Sequence, residues 1–196
     1  MVRGRPSLTL AVIAAFCVVV LTPSDDAFAE ESPVPEKLQA ELLAKIAAYD
    51  RSFTARARDR AHVVIVDKPD DADSVRSATR LEASLHELPD VGGLPHDEAV
   101  VPWPGAGGLA DLVRSRHAAI VYFTPGFAAD IGAIRTALDG VDVLSVAAIP
   151  DYVPQGVVLG FDVVSGKPKL LVNLTQARKQ HVAFMAEILK MAKVYE

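Results

Sequence analysis

Cysteine is almost absent from this chain of 196 residues: Cys17 is the only one, and it sits in an apolar run near the start. A single cysteine excludes an internal disulfide, and outside that run it leaves no thiol nucleophile and no thiolate metal ligand. Aromatics are scarce at 6%, with Trp103 the only tryptophan. A strong charge of one sign is missing too: the net charge of −5 gives no basic field for nucleic acid or anionic lipid. G-x-S-x-G, H-E-x-x-H and P-loop patterns do not occur, so hydrolase and nucleotidase chemistry has no motif behind it. No catalytic residue, metal site or cofactor is expected, and an enzyme ranks behind a binding protein.

Long hydrophobic runs are also few. The one that stands out, Leu8–Leu21, falls short of the roughly 20 residues a spanning helix needs. Arg3 and Arg5 precede it, and Ala27-Phe28-Ala29 follows as a small-x-small site, which together read as a secretory signal at 1–29 cleaved after Ala29. Cys17 follows bulky Phe16, which does not suit a lipoprotein anchor. Removing the signal takes Arg3, Arg5, Asp25 and Asp26, so the net charge is unchanged. The expectation is an exported, periplasmic protein with no membrane insertion after cleavage. Residues 30–36 read as a flexible lead and 37–196 as one domain, long enough to bury a core.

What the chain does contain is alternation. Leu38, Leu42, Ile46, Tyr49 and Phe53 share one helical face over Lys37–Phe53, with Pro35 and Glu36 suited to its first turn. Arg56, Arg58 and Arg60 alternate in what reads as a solvated linker, with anion binding as the sharper alternative. His62-Val-Val-Ile-Val-Asp67 is a near-continuous apolar run, the mark of a strand covered on both faces. Ser74 is placed to cap a helix running to about Leu88 through Val75, Ala78, Leu81 and Leu85, and Pro89 stops it. A loop from Asp90 to Glu98 leads to a short strand at Ala99–Val101, closed by Pro102-Trp103-Pro104. Gly105-Ala-Gly-Gly108 opens the next helix, Ala118–Phe123 is the next buried strand, and Thr124-Pro-Gly126 turns into a helix reaching Leu138. His62-Val-Val-Ile-Val and His117-Ala-Ala-Ile-Val echo each other as two β-α units.

Several residues invite a chemical reading. Gly105-Ala-Gly-Gly-Leu-Ala110 fits G-x-G-x-x-A, yet Pro102 and Pro104 disrupt the tight turn and the next strand ends without a ribose-binding acid; a plain turn or loose anion binding fits better. His86, Asp90, His96, Asp97 and Glu98 gather nitrogen and carboxylate groups in one loop without metal-ligand spacing, so a solvated acidic loop is expected. His62, His117 and His181 read as strand-start or helix-surface residues rather than bases. Asn173-Leu-Thr175 matches a glycosylation sequon by chance. Trp103 is either an interface anchor or a lid on the core, and Tyr152 has the same two readings.

The last third is the most informative. Val143–Val146 and Val157–Phe161 are short β-branched strands, Ser165-Gly166-Lys167-Pro168 bends, and Lys169–Val172 returns. Asn173 is placed to cap a final helix, along which Val182, Met185, Leu189 and Ala192 recur beside a second stripe of Phe184, Ile188, Met191 and Tyr195. Lys179, Lys190 and Lys193 stay in solvent. The whole reads as α/β: a single-domain, three-layer fold with a mostly parallel sheet, helices on both faces, and a C-terminal β-hairpin plus long helix. Ligands in such sheets sit beyond the strand C-terminal ends, so the candidate ligand- or partner-binding rim is Asp67, Trp103, Thr124, Pro125, Gly126, Pro150, Asp151 and Tyr152.

Val143-Leu-Ser-Val146, Gly156 before Leu159-Gly-Phe161, Val172-Asn-Leu-x-x-Ala-Arg178 and Ile188-Leu-Lys-Met-Ala-Lys-Val194 keep an order and spacing that resembles the YfiR/HmsC family of periplasmic regulators, with a weaker match back to Lys37. The resemblance implies a non-enzymatic domain that restrains a membrane-bound diguanylate cyclase, and so acts in cyclic-di-GMP signalling. The partner it implies is an inner-membrane signalling protein, with a homodimer left open. A cysteine-free mature chain departs from those members stapled by disulfides. Tyr49-Asp-Arg-Ser-Phe53 stands where the family often has Trp-Pro. The alternative from the residues themselves is a periplasmic small-ligand sensor with a cleft at the strand C-terminal ends.

Overall fold

The structure is a computed structural model that describes residues 1, 2, 32 and 34–196. The expected signal segment beyond Val2, its cleavage point at Ala29 and part of the 30–36 lead lie outside the described residues. The elements are α1 (Glu36–Ala47), α2 (Phe53–Ala57), β1 (Ala61–Asp67), α3 (Ala72–His86), β2 (His96–Pro102), α4 (Ala106–Ser115), β3 (Ile120–Phe123), α5 (Ile131–Ala137), β4 (Leu144–Ala147), α6 (Tyr152–Gln155), β5 (Leu159–Val164), β6 (Lys167–Asn173), α7 (Leu174–Lys179), α8 (Ala186–Met191) and β7 (Lys193–Tyr195).

All seven strands form one sheet in the order β2-β1-β3-β4-β5-β6-β7. Every neighbouring pair is parallel except the β5–β6 hairpin. The chain steps outward from β1 to β2 and then returns past β1 to β3. Right-handed crossovers therefore put α3 on one face and α4 and α5 on the other, and the switch of direction falls between β1 and β3. Central strands β1, β3 and β4 are buried on both sides, which their unbroken apolar runs require. The hairpin tip is a two-residue turn with φ of 51° at Ser165 and 73° at Gly166, the left-handed pair that matches strand twist.

The expected α/β class, single domain and mostly parallel sheet are all present. Local boundaries move for identifiable reasons. The helix expected over Lys37–Phe53 ends at Ala47, and Phe53 begins a separate short α2. Asp71, not Ser74, caps α3: its carboxylate accepts from the amides of Asp73 and Ser74. Strand β2 starts at His96 instead of Ala99, because His96, Asp97 and Glu98 pair in register with Ala61, His62 and Val63.

The long final helix is the largest correction. The chain leaves the helix after Lys179, passes through His181 at φ 56°, and forms only α8 before β7 pairs with β6. Tertiary hydrogen bonds hold it out of helical form. Gln180 is fully buried and its side-chain oxygen accepts from the Ser145 amide, while Asp50 accepts the Ala183 amide at 2.9 Å and pairs as a bridge with Phe184. Val182, Phe184 and Ile188 are buried from this irregular path, so the apolar spacing served a winding segment and not one stripe.

Arg56 belongs to the same corner, which corrects its reading as part of a solvated linker. Its guanidinium is almost wholly buried, 2.7 Å from Asp50 and 2.7 Å from Asp142, and donates to the His181 carbonyl.

Candidate functional site

The strand C-terminal rim assembles as the topology dictates. Asp67 ends β1, Trp103 follows β2, Thr124, Pro125 and Gly126 follow β3, and Pro150, Asp151 and Tyr152 follow β4. The switch point between β1 and β3 is stitched by a directional hydrogen-bond relay. The Lys68 amide donates to Ser74 Oγ at 2.8 Å, the Ser74 and Thr124 hydroxyls lie 2.6 Å apart, and Thr124 donates to the Val66 carbonyl at 2.9 Å. With Thr124 donating onward, Ser74 is the donor between the two hydroxyls. Both side chains are buried, so the relay fixes the start of α3 to the end of β3.

Over this stitch lies an aromatic cover. Trp103 meets Phe127 edge-on at 5.2 Å between centroids, and Phe127 meets Phe123 edge-on at 5.7 Å. Lys68 Nζ lies 4.9 Å from the Phe127 centroid and pairs with Asp130. Gly126, at φ 94°, lies so close to the Asp71 carboxylate that a Cβ there would strike it. Trp103 is half-buried and packs against the core, as its reading as a lid expected.

The rim residues thus divide. Asp151 is exposed, and Gly126 and Pro150 are half-buried, so they form the accessible surface with Trp103. Thr124 and Pro125 are buried. Tyr152 is fully buried and its hydroxyl accepts from the Phe127 amide at 2.8 Å, which makes it a strut under the rim and removes it as a direct partner contact. Asp67 is 7% exposed, and its Oδ1 has no hydrogen-bond partner among the described residues.

Phe127 and the Lys68–Asp130 pair, which close the rim, were not singled out from sequence. An apolar residue directly after the Thr124-Pro-Gly126 turn was the available signal for Phe127.

Two concave surfaces lie at the opposite pole. One cavity of about 900 Å³ is bounded by the end of α3 and the start of β2; a second, about 370 Å³, lies among Arg58, Arg114, His117 and Asp142. In the larger one the loop histidines and acids are ordered. Glu98 is nearly buried, with His86 Nδ1 at 2.8 Å from one oxygen and His96 Nδ1 at 3.0 Å from the other. His96 Nε2 faces the Leu88 carbonyl at 3.1 Å, and His62 pairs with Asp97. This corrects the expectation of a fully solvated acidic loop. No group of three or more metal-ligating side chains is arranged to hold a metal among the described residues. Gly105, at φ 76°, makes the turn into α4, and Gly107 and Gly108 are helical.

At the core beneath α1, the Tyr122 hydroxyl donates to Gln39 Oε1 at 2.7 Å. Burial raises the Tyr122 phenol well above its ordinary 10.0, with the Glu36 carboxylate adding to the effect. Among the described residues no helix is long and apolar enough to cross a membrane.

Solved structures share this architecture. A conserved domain protein from Vibrio cholerae O1 biovar El Tor superposes with a TM-score of 0.55 at 17% identity, covering 83% of this chain and 60% of that one. The ABC domain in complex with L-Trp from Streptococcus pneumonia gives 0.57 at 11% identity, covering 83% and 62%. The chain therefore spans about 60% of the length of these structures, and at such identities the likeness shows the fold alone. No curated protein matches the chain. The family model described as YfiR/HmsC-like matches residues 106–193, from the start of α4 to the first residue of β7. Over those residues the resemblance read from the sequence is shown: this part of the chain is YfiR/HmsC-like.

Proposed function

We propose that this protein is a non-enzymatic periplasmic regulator that binds an inner-membrane signalling protein and restrains a diguanylate cyclase, in the manner implied by its family. The match over residues 106–193 is the observation that carries the reading. The rim supports it physically: Trp103, Gly126, Pro150 and Asp151 present an accessible surface on a rigid, hydrogen-bonded base. A half-buried tryptophan braced by Phe127 loses little freedom on contact, which favours its use as an anchor.

The test is cellular cyclic-di-GMP in a deletion strain, with the wild-type gene or Trp103→Ala restored. Deletion should raise the level, wild type should lower it, and Trp103→Ala should restore it poorly while staying folded. An unchanged level on deletion would detach the protein from that pathway.

A second reading, a small-ligand sensor, is favoured by Asp67. A buried carboxylate oxygen without a donor is costly, and this one ends β1 beside the switch point where such sheets take ligands. A solved structure of this fold holds L-Trp. The rim is covered, so a ligand there requires Trp103 to swing out. A thermal-shift screen decides: a ligand at 100 times its Kd adds about 2.7 kcal/mol, and the shift should vanish in Asp67→Asn.

A further inference from the structure

Strand β2 is an edge of the sheet, and among the described residues its outer backbone is open. The Ala61 amide donates to the Pro95 carbonyl and the Trp103 amide to the Asp67 carbonyl. In a parallel ladder these fix the alternation, so Asp97, Ala99 and Val101 bond inward to β1 while Glu98 and Val100 direct their N–H and C=O groups outward. Arg60 covers the carbonyl of His96 at 2.8 Å, so the free stretch begins at Glu98. Among the described residues nothing bonds to the outward groups of Glu98 and Val100. An open edge of this kind is a template for another strand.

The surroundings specify the charge of what would pair there. The cavity of about 900 Å³ beside the edge is lined by Glu82, Glu87, Asp97 and Glu98 together with Arg60, His86 and His96, with Leu88 among its apolar walls; the two histidines hold Glu98 and His62 holds Asp97, so Glu82 and Glu87 are the acids left to meet a cation. The C-terminal end of α3 points its carbonyls into the same region and adds negative potential. Both contributions favour a cation. Lys37 contributes little, since it pairs with Glu87 at 3.6 Å in solvent.

We propose that the β2 edge docks an extended basic segment of the partner protein, which adds as an eighth strand on Glu98 and Val100 and places a lysine or arginine side chain in the acidic cavity. This deepens the partner-binding reading above, on which it rests, and assigns the contact to the edge of the sheet in addition to the rim. Main-chain pairing supplies affinity and the cavity supplies the preference for positive side chains.

The probe is a labelled ten-residue peptide of alternating lysine and valine, compared with its glutamate–valine counterpart. The lysine peptide should bind, weaken about tenfold from low to high salt, and slow hydrogen exchange at the Glu98 and Val100 amides. Val100→Pro removes an outward donor without touching the β1 ladder, and should abolish binding. Glu82→Lys with Glu87→Lys keeps the strand intact and should do the same. Equal binding of both peptides, or protection away from β2, overturns the proposal. Concentration-dependent protection of those amides in the protein alone, lost in Val100→Pro, would assign the edge to a second copy and also overturn it. In cells, a folded Val100→Pro that restores cyclic-di-GMP control as well as wild type overturns the docking site and leaves the regulatory function standing. Where wild type itself has no effect, the regulatory function fails, and the peptide experiment still decides the edge.

Discussion

Asp50 offers the sharpest test of why the C-terminal segment is not a helix. Its side chain is fully buried; Oδ1 accepts the amides of Ser52 at 3.0 Å and Ala183 at 2.9 Å, and Oδ2 accepts Arg56 at 2.7 Å. Asp50→Asn keeps an oxygen for the two amides and loses the charge-assisted bond, which is worth about 1.5–3 kcal/mol. Asp50→Ala also strands both amides and leaves the Arg56 guanidinium with only Asp142 and a carbonyl, a loss of roughly 3–5 kcal/mol. Against a total stability of about 5–15 kcal/mol, that is a large fraction. Urea unfolding at constant m value measures both variants, and Asp50→Ala should exceed Asp50→Asn by at least about 1 kcal/mol. Equal losses, or losses within the ~0–1 kcal/mol range of a surface ion pair, would refute the account. The break after Lys179 would then need another cause.

Two further predictions follow from local electrostatics and capping. Asp139 is held below its usual 3.8, first by the Lys179 hydrogen bond at 2.7 Å and also by Gln176 and nearby Arg135, with slight burial opposing. Its contribution is therefore present above 3.8 and lost as pH falls through the lowered folded value; Asp139→Asn should remove that acid-side loss, and added salt should shrink it, both read from Tm against pH. Asn173 accepts the Gln176 amide at 2.9 Å and donates to the Val153 carbonyl at 2.9 Å. Asn173→Ala should cost about 1–2 kcal/mol by thermal or urea unfolding, and Asn173→Asp, which keeps the cap acceptor but sets a carboxylate oxygen against the Val153 carbonyl, should not restore the loss.

The residues that announced themselves did so through local rules. Val63–Val66 and Ala118–Phe123 are apolar on both faces and had to be central strands, and Asn173 had to cap because a polar side chain at a strand–helix junction has few better uses. Ser165-Gly166 is a turn pair wherever it sits between two strands. From these alone follow the α/β class, the parallel sheet with one hairpin, and which residues stand at the strand C-terminal ends, though not which of them reach the surface.

Contacts between distant parts of the chain decided the rest. The spacing of Val182, Met185 and Leu189 suits a helix, and distant residues hold that segment open: Asp50, more than a hundred residues earlier, through Ala183 and Phe184, and Ser145 through Gln180. His96 looked like a loop residue until pairing with Ala61 made it the first residue of an edge strand. Tyr152 and Trp103 carry similar sequence signals, both aromatic beside prolines. The fold buries one beneath Phe127 and leaves the other half in solvent. The sequence by itself determined periodicity, caps and turns, because those energies arise within a few residues. Only the tertiary structure determined which polar groups found partners and which edge stayed open, because those depend on segments that meet after the sheet has formed.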